Sequence, residues 1–179
     1  MSLVPARILI VMGVASSGKS VVGKSIARRL HAPFLDGDAY HPSSNKDKMR
    51  AGVALTDDDR WQWLSTLATA LRDAAEGKGV AIGACSALKR SYRDHLVREA
   101  GEPILFVFLD GTEEVIAARM ATRVHEYMPL TLLASQFATL EVPGPDENAI
   151  AIPVTLTVEQ IADRAVKAVP HLKAFKRKQ

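Results

Sequence analysis

The chain has 179 residues, of which 47% are hydrophobic and 24% are charged, and its formal net charge is +3. This composition is typical of a soluble globular protein and predicts one domain, residues 1–179, with a sizeable core. The longest apolar runs are far too short for a membrane-spanning helix, which excludes an integral membrane protein.

The cysteine count and the distribution of charge indicate the cellular setting. A single cysteine, Cys85, cannot form an intrachain disulfide, which favours a reducing, cytoplasmic location. The first apolar run is expected to be a core strand and not a signal peptide. Much of the positive charge lies in a basic tail, residues 170–179, which we interpret as solvated, so we expect no nucleic-acid or membrane partner.

The strongest motif occupies residues 13–20, which read Gly-Val-Ala-Ser-Ser-Gly-Lys-Ser. An apolar strand precedes it and a helical pattern over 19–30 follows, which is the context that the phosphate-binding loop G-x-x-x-x-G-K-[ST] requires. Its N–H groups favour phosphate, Lys19 is placed for the β- and γ-phosphates, and Ser20 can bind Mg²⁺. The motif predicts that a nucleoside triphosphate is bound by Gly13, Ala15, Ser16, Ser17, Gly18, Lys19 and Ser20.

A short strand at residues 34–35 is predicted to deliver Asp36 and Asp38 to the same edge of the sheet as the phosphate-binding loop. Ligands of open α/β sheets bind beyond the carboxyl ends of the strands. We expect Asp36 to be catalytic, either by accepting the proton of an attacking hydroxyl or by holding a Mg²⁺-bound water. A simple turn built by the two aspartates is the alternative.

A polar stretch over residues 40–50, which includes His41 and Lys48, leads to a predicted helix. Thr56 and Asp59 form a capping-box pattern at its start, and residues 77–79 are predicted to be a turn after it. Arg60 lies in the first turn, where a cation opposes the helix dipole, so its position favours an anionic ligand. The predicted apolar face of this helix consists of Trp61, Leu64, Leu67, Ala68 and Leu71.

The remaining pattern alternates strands and helices. Strands are predicted at residues 80–85, 104–109 and 150–154, and Asp110 is interpreted as part of a turn and helix cap. Arg119 and Arg123 share a helix face, and a break before the next helix predicts a lid at about residues 123–133. The fold class is therefore α/β, a doubly wound parallel sheet of about five strands flanked by helices, with a helical lid.

Several segments in the same order resemble the gluconate kinase (gluconokinase) family of P-loop kinases, which have a nucleoside monophosphate kinase-like fold. The most specific are Leu-Thr-Asp-Asp-Asp-Arg-Trp at 55–61, Cys-Ser-Ala-Leu-Lys at 85–89 and Ser-Gln-Phe at 135–137. The resemblance implies ATP-dependent phosphorylation of D-gluconate to 6-phospho-D-gluconate, with Mg²⁺ and usually in a homodimer.

Gluconate carries five hydroxyls and one carboxylate, so both kinds of ligand are expected. Asp38 and His41 suit the hydroxyls, and a cation among Lys48, Arg60, Lys89 and Arg93 suits the carboxylate. Lys19, Arg119 and Arg123 are expected to stabilise the transferring phosphoryl group. The full set of expected substrate ligands is Asp36, Asp38, His41, Lys48, Arg60, Ser86, Lys89, Arg93 and Gln136, and the expected catalytic residues are Lys19, Asp36 and Arg123.

Three alternative functions were compared with this one. A shikimate kinase also uses an Asp-x-Asp pair, but the chain lacks the Gly-Gly-Gly expected after the third strand. A nucleotide kinase needs a set of arginines and a base pocket that the sequence does not reveal. A non-metabolic GTPase switch would carry an Asn-Lys-x-Asp motif, which is absent.

Overall fold

The computed structural model describes residues 3–51, 53–121, 130–169 and 172. Its strands are β1 Ile8–Met12, β2 Phe34–Asp36, β3 Ala81–Ala84, β4 Ile104–Asp110 and β5 Ala149–Pro153. They form one sheet in the order β2-β3-β1-β4-β5, and every pair is parallel. The described helices are α1 Lys19–Leu30, α2 Ser43–Arg50, α3 Asp57–Lys78, α4 Arg90–Ala100, α5 Glu113–Ala121, α6 Leu130–Thr139 and α7 Val158–Lys167. The predicted fold class is confirmed.

Strand β1 lies at the centre of the sheet, and all five of its residues are buried. Leu9 and Val11 pack on one face with side chains of α1 and α7, whereas Ile8, Ile10 and Met12 pack on the other face with α3 and α4. A parallel strand covered on both faces must be apolar throughout, as this run is. The phosphate-binding loop therefore leaves the sheet at its most buried position.

Between β2 and β3, the sequence pattern missed one helix and wrongly predicted one turn. Residues 43–50 form helix α2. The sequence shows no apolar periodicity there, because the buried residue of this helix, Asn45, is polar. The turn predicted at 77–79 is instead the end of α3, which continues to Lys78. Gly79, at φ 81°, ends that helix because the left-handed conformation stops the helical hydrogen-bond series.

The capping box predicted at Thr56 and Asp59 is confirmed, and two further helices begin with similar caps. Thr56 Oγ1 accepts the N–H of Asp59 while the Asp59 carboxylate accepts the N–H of Thr56, and Thr157 and Gln160 make the same exchange at α7. Thr112 Oγ1 accepts the Val115 N–H at 3.4 Å, in line with a cap before α5. These caps satisfy N–H groups that have no partner within the helix.

Some predictions fall outside the described residues. Arg123 and most of the predicted lid, residues 123–133, belong to this group, as does the basic tail except for Leu172. Within the ranges given above, no helix combines the length and apolarity that crossing a bilayer would take.

Candidate active site

The phosphate-binding loop has the backbone that its glycines make possible. Gly18, at φ 101°, precedes the first residue of α1, and Gly13 has φ 140°. Both values lie in the region that side chains disfavour. A Cβ on Gly13 would also approach the Leu109 carbonyl oxygen to 3.2 Å. The loop thus turns directly from β1 into the N-terminus of α1, where N–H groups have no helical partner.

The loop makes two contacts that concern phosphate binding. Lys19 Nζ donates to the Val14 carbonyl oxygen at 2.8 Å, and the Ala15 N–H donates to Gln136 Oε1 of α6 at 2.6 Å. Gln136 therefore lies against the phosphate-binding loop, where its oxygen takes a donor that a phosphate oxygen could also use. Among the described residues, the buried Ser17 Oγ has no hydrogen-bond partner.

The end of β2 meets the start of α1 through one hydrogen bond. Ser20 Oγ donates to Asp36 Oδ2 at 2.9 Å, and Asp36 Oδ1 accepts the Asp38 N–H at 3.3 Å. The structure thus brings Asp36 to the loop, as the sequence predicts, and leaves the Asp38 side chain exposed. No cluster of three or more His, Cys, Asp or Glu side chains suited to a metal occurs in the described ranges. Ser20 and Asp36 fit Mg²⁺, which keeps several waters and binds through few protein oxygens plus substrate phosphates.

His41 lies on a platform made by Trp63. The two rings stack with centroids 3.9 Å apart, and Trp63 Nε1 donates to the Gly37 carbonyl oxygen at 2.7 Å. Burial is the main cause that lowers the pKa of His41. The neutral ring is consistent with the 3.3 Å contact from Asn45 Nδ2 to His41 Nδ1, which leaves the proton on Nε2. His41 is thus held as a hydrogen-bond donor.

Two of the predicted cations are already paired with carboxylates. Lys89 Nζ lies 2.9 and 2.8 Å from the two Asp57 oxygens, and this bond is the main cause that lowers the pKa of Asp57 and raises that of Lys89. Lys48 Nζ lies 2.6 Å from Asp59 Oδ1, and this hydrogen bond is the main cause that lowers the pKa of Asp59 to about 2. Both lysines therefore have their charge balanced before any ligand binds.

Arg60 is in a different position. Its Nη2 donates to the Leu55 carbonyl oxygen at 3.3 Å, and its guanidinium carbon lies 5.7 Å from the centre of the Tyr92 ring. Its Nε is buried and has no hydrogen-bond partner within the described residues. A buried donor without an acceptor is destabilising, and a ligand carboxylate would supply one.

Arg93 does not reach a surface that a ligand could contact. Its side chain is 1% exposed, and it makes a bidentate ion pair with Glu147 at 2.5 and 2.9 Å. The same guanidinium donates to the carbonyl oxygens of Ala87 and Leu88. The structure therefore gives this predicted substrate ligand a set of partners inside the protein.

The β3–α4 loop (residues 85–89) lies against the phosphate-binding loop. The Gly13 N–H donates to the Ser86 carbonyl oxygen at 3.3 Å, and Ser86 is half-buried. Burial raises the pKa of the neighbouring Cys85 thiol to about 12, so that thiol stays protonated and unreactive. On the other side of the sheet, Arg119 donates to the Val154 carbonyl oxygen just beyond β5.

Three residues of this region were missed as site residues. Asp57 and Tyr92 hold Lys89 in place, with the Tyr92 hydroxyl donating to Asp57 Oδ1 at 2.5 Å. Trp63 is 2% exposed and forms the His41 platform, whereas Trp61, assigned to the apolar face, is only half-buried. The sequence did carry a signal for Asp57: the run of three acidic residues 57–59 beside Arg60 indicates a charged cluster and not simply a helix start.

Comparisons with known proteins agree with this geometry. A family model described as an AAA domain matches residues 8–143. Gluconokinase of Gluconobacter oxydans (strain 621H) is 46% identical over 82% of this chain and 82% of its own, and thermosensitive gluconokinase of Escherichia coli (strain K12) is 40% identical over 89% and 86%. The crystal structure of a gluconokinase from Sinorhizobium meliloti 1021 superposes with a TM-score of 0.82 at 39% identity, covering 100% of both chains. The chain belongs to the gluconokinase family of P-loop kinases.

Proposed function

We propose that this protein is a gluconokinase that transfers the γ-phosphoryl group of ATP to D-gluconate and forms 6-phospho-D-gluconate and ADP. The observation that carries the proposal is the hydrogen bond from Ser20 to Asp36. It joins a phosphate-binding loop to a carboxylate that can face an acceptor hydroxyl. Family membership supports the same reaction.

On the donor side, the chain supplies positive charge and N–H groups. The loop amides and Lys19 hold the phosphates, and Arg119 and Arg123 are expected to neutralise charge on the transferring group. Ser20 would hold Mg²⁺ directly or through water, and the ion would help to neutralise the phosphate charge. Gln136 would then have to yield the Ala15 N–H to the nucleotide.

On the acceptor side, Asp36 would orient the attacking hydroxyl and take its proton, or would hold a Mg²⁺-bound water. Asp38 and His41 suit the other hydroxyls of the polyol, because one accepts and the other donates a hydrogen bond. Arg60 is the best cation for the carboxylate, because Lys48 and Lys89 already have partners. Ser86 lies beside the loop that holds the phosphates.

A homodimer and a cytoplasmic location complete the proposal. The dimer is what the family resemblance implies. The location is supported by the single, buried Cys85, which gives the chain no intramolecular disulfide to preserve. Size-exclusion chromatography with light scattering would measure the first directly.

The test of the proposed function is ADP formation with a panel of acceptors: D-gluconate, related sugar acids, shikimate and nucleoside monophosphates. We expect gluconate to stimulate ADP release strongly and the product to be identified by phosphorus NMR as the 6-phosphate. Stimulation by shikimate or a nucleotide with none by gluconate would contradict the proposal. Acceptor-independent hydrolysis alone would instead indicate a switch.

A further inference from the structure

A buried ion pair links α4 to the segment before β5. Arg93 Nε lies 2.5 Å from Glu147 Oε2, Arg93 Nη2 lies 2.9 Å from Glu147 Oε1, and the two side chains are 1% and 8% exposed. A buried bidentate pair of this kind fixes geometry well, and removing one partner leaves an uncompensated charge. The pair contacts neither the phosphate-binding loop nor Asp36 through any described hydrogen bond.

The same arginine holds the backbone of the β3–α4 loop. Arg93 Nη1 donates to the carbonyl oxygens of Ala87 at 3.0 Å and Leu88 at 3.2 Å. Ala87 has φ 44°, an unfavourable conformation for a residue with a side chain, and it is 1% exposed. Such a conformation persists only where the surroundings fix it. The strained residue directly follows Ser86, a predicted substrate ligand whose carbonyl oxygen accepts the Gly13 N–H of the phosphate-binding loop.

Glu147 fixes a second segment to the same loop. Its Oε1 also accepts the Gly144 N–H at 2.8 Å. A few residues earlier, the Glu141 N–H donates to the Leu88 carbonyl oxygen at 2.9 Å, and Glu141 Oε2 accepts the Arg90 N–H at 2.7 Å. The chain that leaves α6 is thus bonded at several points to the loop that carries Ser86 and Lys89.

We propose that Arg93 and Glu147 form a buried clamp that sets the backbone of residues 86–89 and thereby the affinity for the sugar-acid acceptor. Arg93 is then a positioning residue and not a substrate ligand. This inference rests on the proposed function, since it concerns the acceptor half of that same site.

The test compares two variants of the clamp with a matched control. Glu147→Gln keeps the shape and the acceptor for Gly144 but removes the charge, whereas Arg93→Lys cannot reach Glu147 and both carbonyl oxygens together. We expect each variant to raise the KM for gluconate by about tenfold, within the range of coupling between contacting residues, and to leave the KM for ATP within about twofold of the wild-type value.

The control is Arg90→Ala, because the Arg90–Asp146 pair is on the same two segments but its side chains are 49% and 53% exposed. It is expected to leave both KM values unchanged.

Other results would overturn the clamp. If Arg93 bound the substrate carboxylate, Glu147→Gln would free it from a competing anion and lower the KM for gluconate. If the pair were only structural, the melting temperature would fall while the KM stayed unchanged in the folded protein. Should Arg93→Lys fail to fold, Glu147→Gln alone decides between these outcomes. If the wild type prefers another acceptor of the panel, the KM for that acceptor is measured, so failure of gluconate and failure of the clamp are distinguishable.

Discussion

Ser20 Oγ and Asp36 Oδ2 are 2.9 Å apart, so one hydrogen bond joins the start of the first helix to the end of the edge strand. Both are oxygen ligands of the kind that binds Mg²⁺ or its waters, and a carboxylate is also a group that can act as a general base. In the proposed reaction, this carboxylate would lie between the phosphoryl donor and the acceptor hydroxyl.

The first prediction concerns that carboxylate. Asp36→Asn keeps the shape and the acceptor for Ser20 but removes the charge, so we expect kcat to fall by about 10²-fold or more with little change in the KM for gluconate. Steady-state kinetics measures both values. Asp47→Asn is the control, since Asp47 is 69% exposed and pairs with Arg50 at the surface. A large rise in KM with normal kcat would show that Asp36 only binds the acceptor.

The second prediction concerns the lysine of the phosphate-binding loop. Lys19→Ala is expected to remove about 3 kcal/mol or more of transition-state stabilisation, because the ammonium acts on developing phosphate charge. Circular dichroism should show an intact fold, since Lys19 is not part of the core. Lys24→Ala, an exposed position further along α1, is expected to keep full turnover. Near-normal turnover of Lys19→Ala would contradict the assignment of the loop.

The third prediction separates Arg60 from Lys89 as the carboxylate ligand. Arg60→Ala should weaken gluconate binding by about ten- to more than a hundredfold, the value of a charge-assisted hydrogen bond of about 1.5–3 kcal/mol. The double variant Asp57→Asn with Lys89→Met removes an ion pair whose charges already balance each other. It should change the affinity for gluconate far less than Arg60→Ala does. Isothermal titration with gluconate, and separately with an ATP analogue, measures both. Normal gluconate affinity in Arg60→Ala would place the carboxylate elsewhere.

The fourth prediction is a loss of stability in mild acid. Burial holds the pKa of His41 below its ordinary value of 6.5, so the unfolded chain binds a proton that the folded chain resists. This contribution to stability is present in full when the pH is above the pKa of His41 in the unfolded chain, about 6.5. It is lost as the pH falls from there towards the lower pKa of His41 in the folded chain. Melting temperatures between pH 8 and pH 5 should decline, and His41→Gln should reduce that decline. An equal slope in both proteins would contradict the role of His41.

The fifth prediction compares two glycines. A side chain at Gly37 would overlap the Ala84 carbonyl oxygen of β3, so Gly37→Ala should cost about 1–3 kcal/mol of stability, as overpacking does. A Cβ at Gly77, exposed near the end of α3, would meet no heavy atom within 4 Å. Gly77→Ala should therefore stabilise the protein by about 0.5–1 kcal/mol through helix propensity. Denaturant unfolding measures both values, and loss of stability at both sites would contradict the packing argument.

The elements that local pattern specifies were predictable from the sequence. The strand before Gly13, the capping boxes at Thr56 and Thr157, and the placement of Asp36 beside Ser20 all follow from residues close together in the chain or from the parallel sheet. Helix α2 was not predictable in this way, because its buried residue, Asn45, is polar and the helix shows no apolar period.

The assignment of cations to partners depends on contacts distant in sequence. Arg60 and Arg93 look equivalent as candidates, yet Arg93 meets Glu147, which is 54 residues away, and Arg60 Nε has no partner among the described residues. Trp61 and Trp63 are also distinguished only by tertiary packing. Trp63 is buried and its ring stacks on His41, which the sequence of the helix does not reveal. Such distinctions come from tertiary packing and not from the periodicity of one segment.

The position of β2 at the edge of the sheet bears on how acceptor preference can change in evolution. In the described part of the chain, β2 pairs with β3 alone, and the segment from Asp36 to Arg60 leaves from its end. Insertions or substitutions in that segment need not disturb the register of β1, β3 and β4, which supports the phosphate-binding loop. A lineage can therefore diversify the small molecules it phosphorylates while inheriting the nucleotide chemistry unchanged.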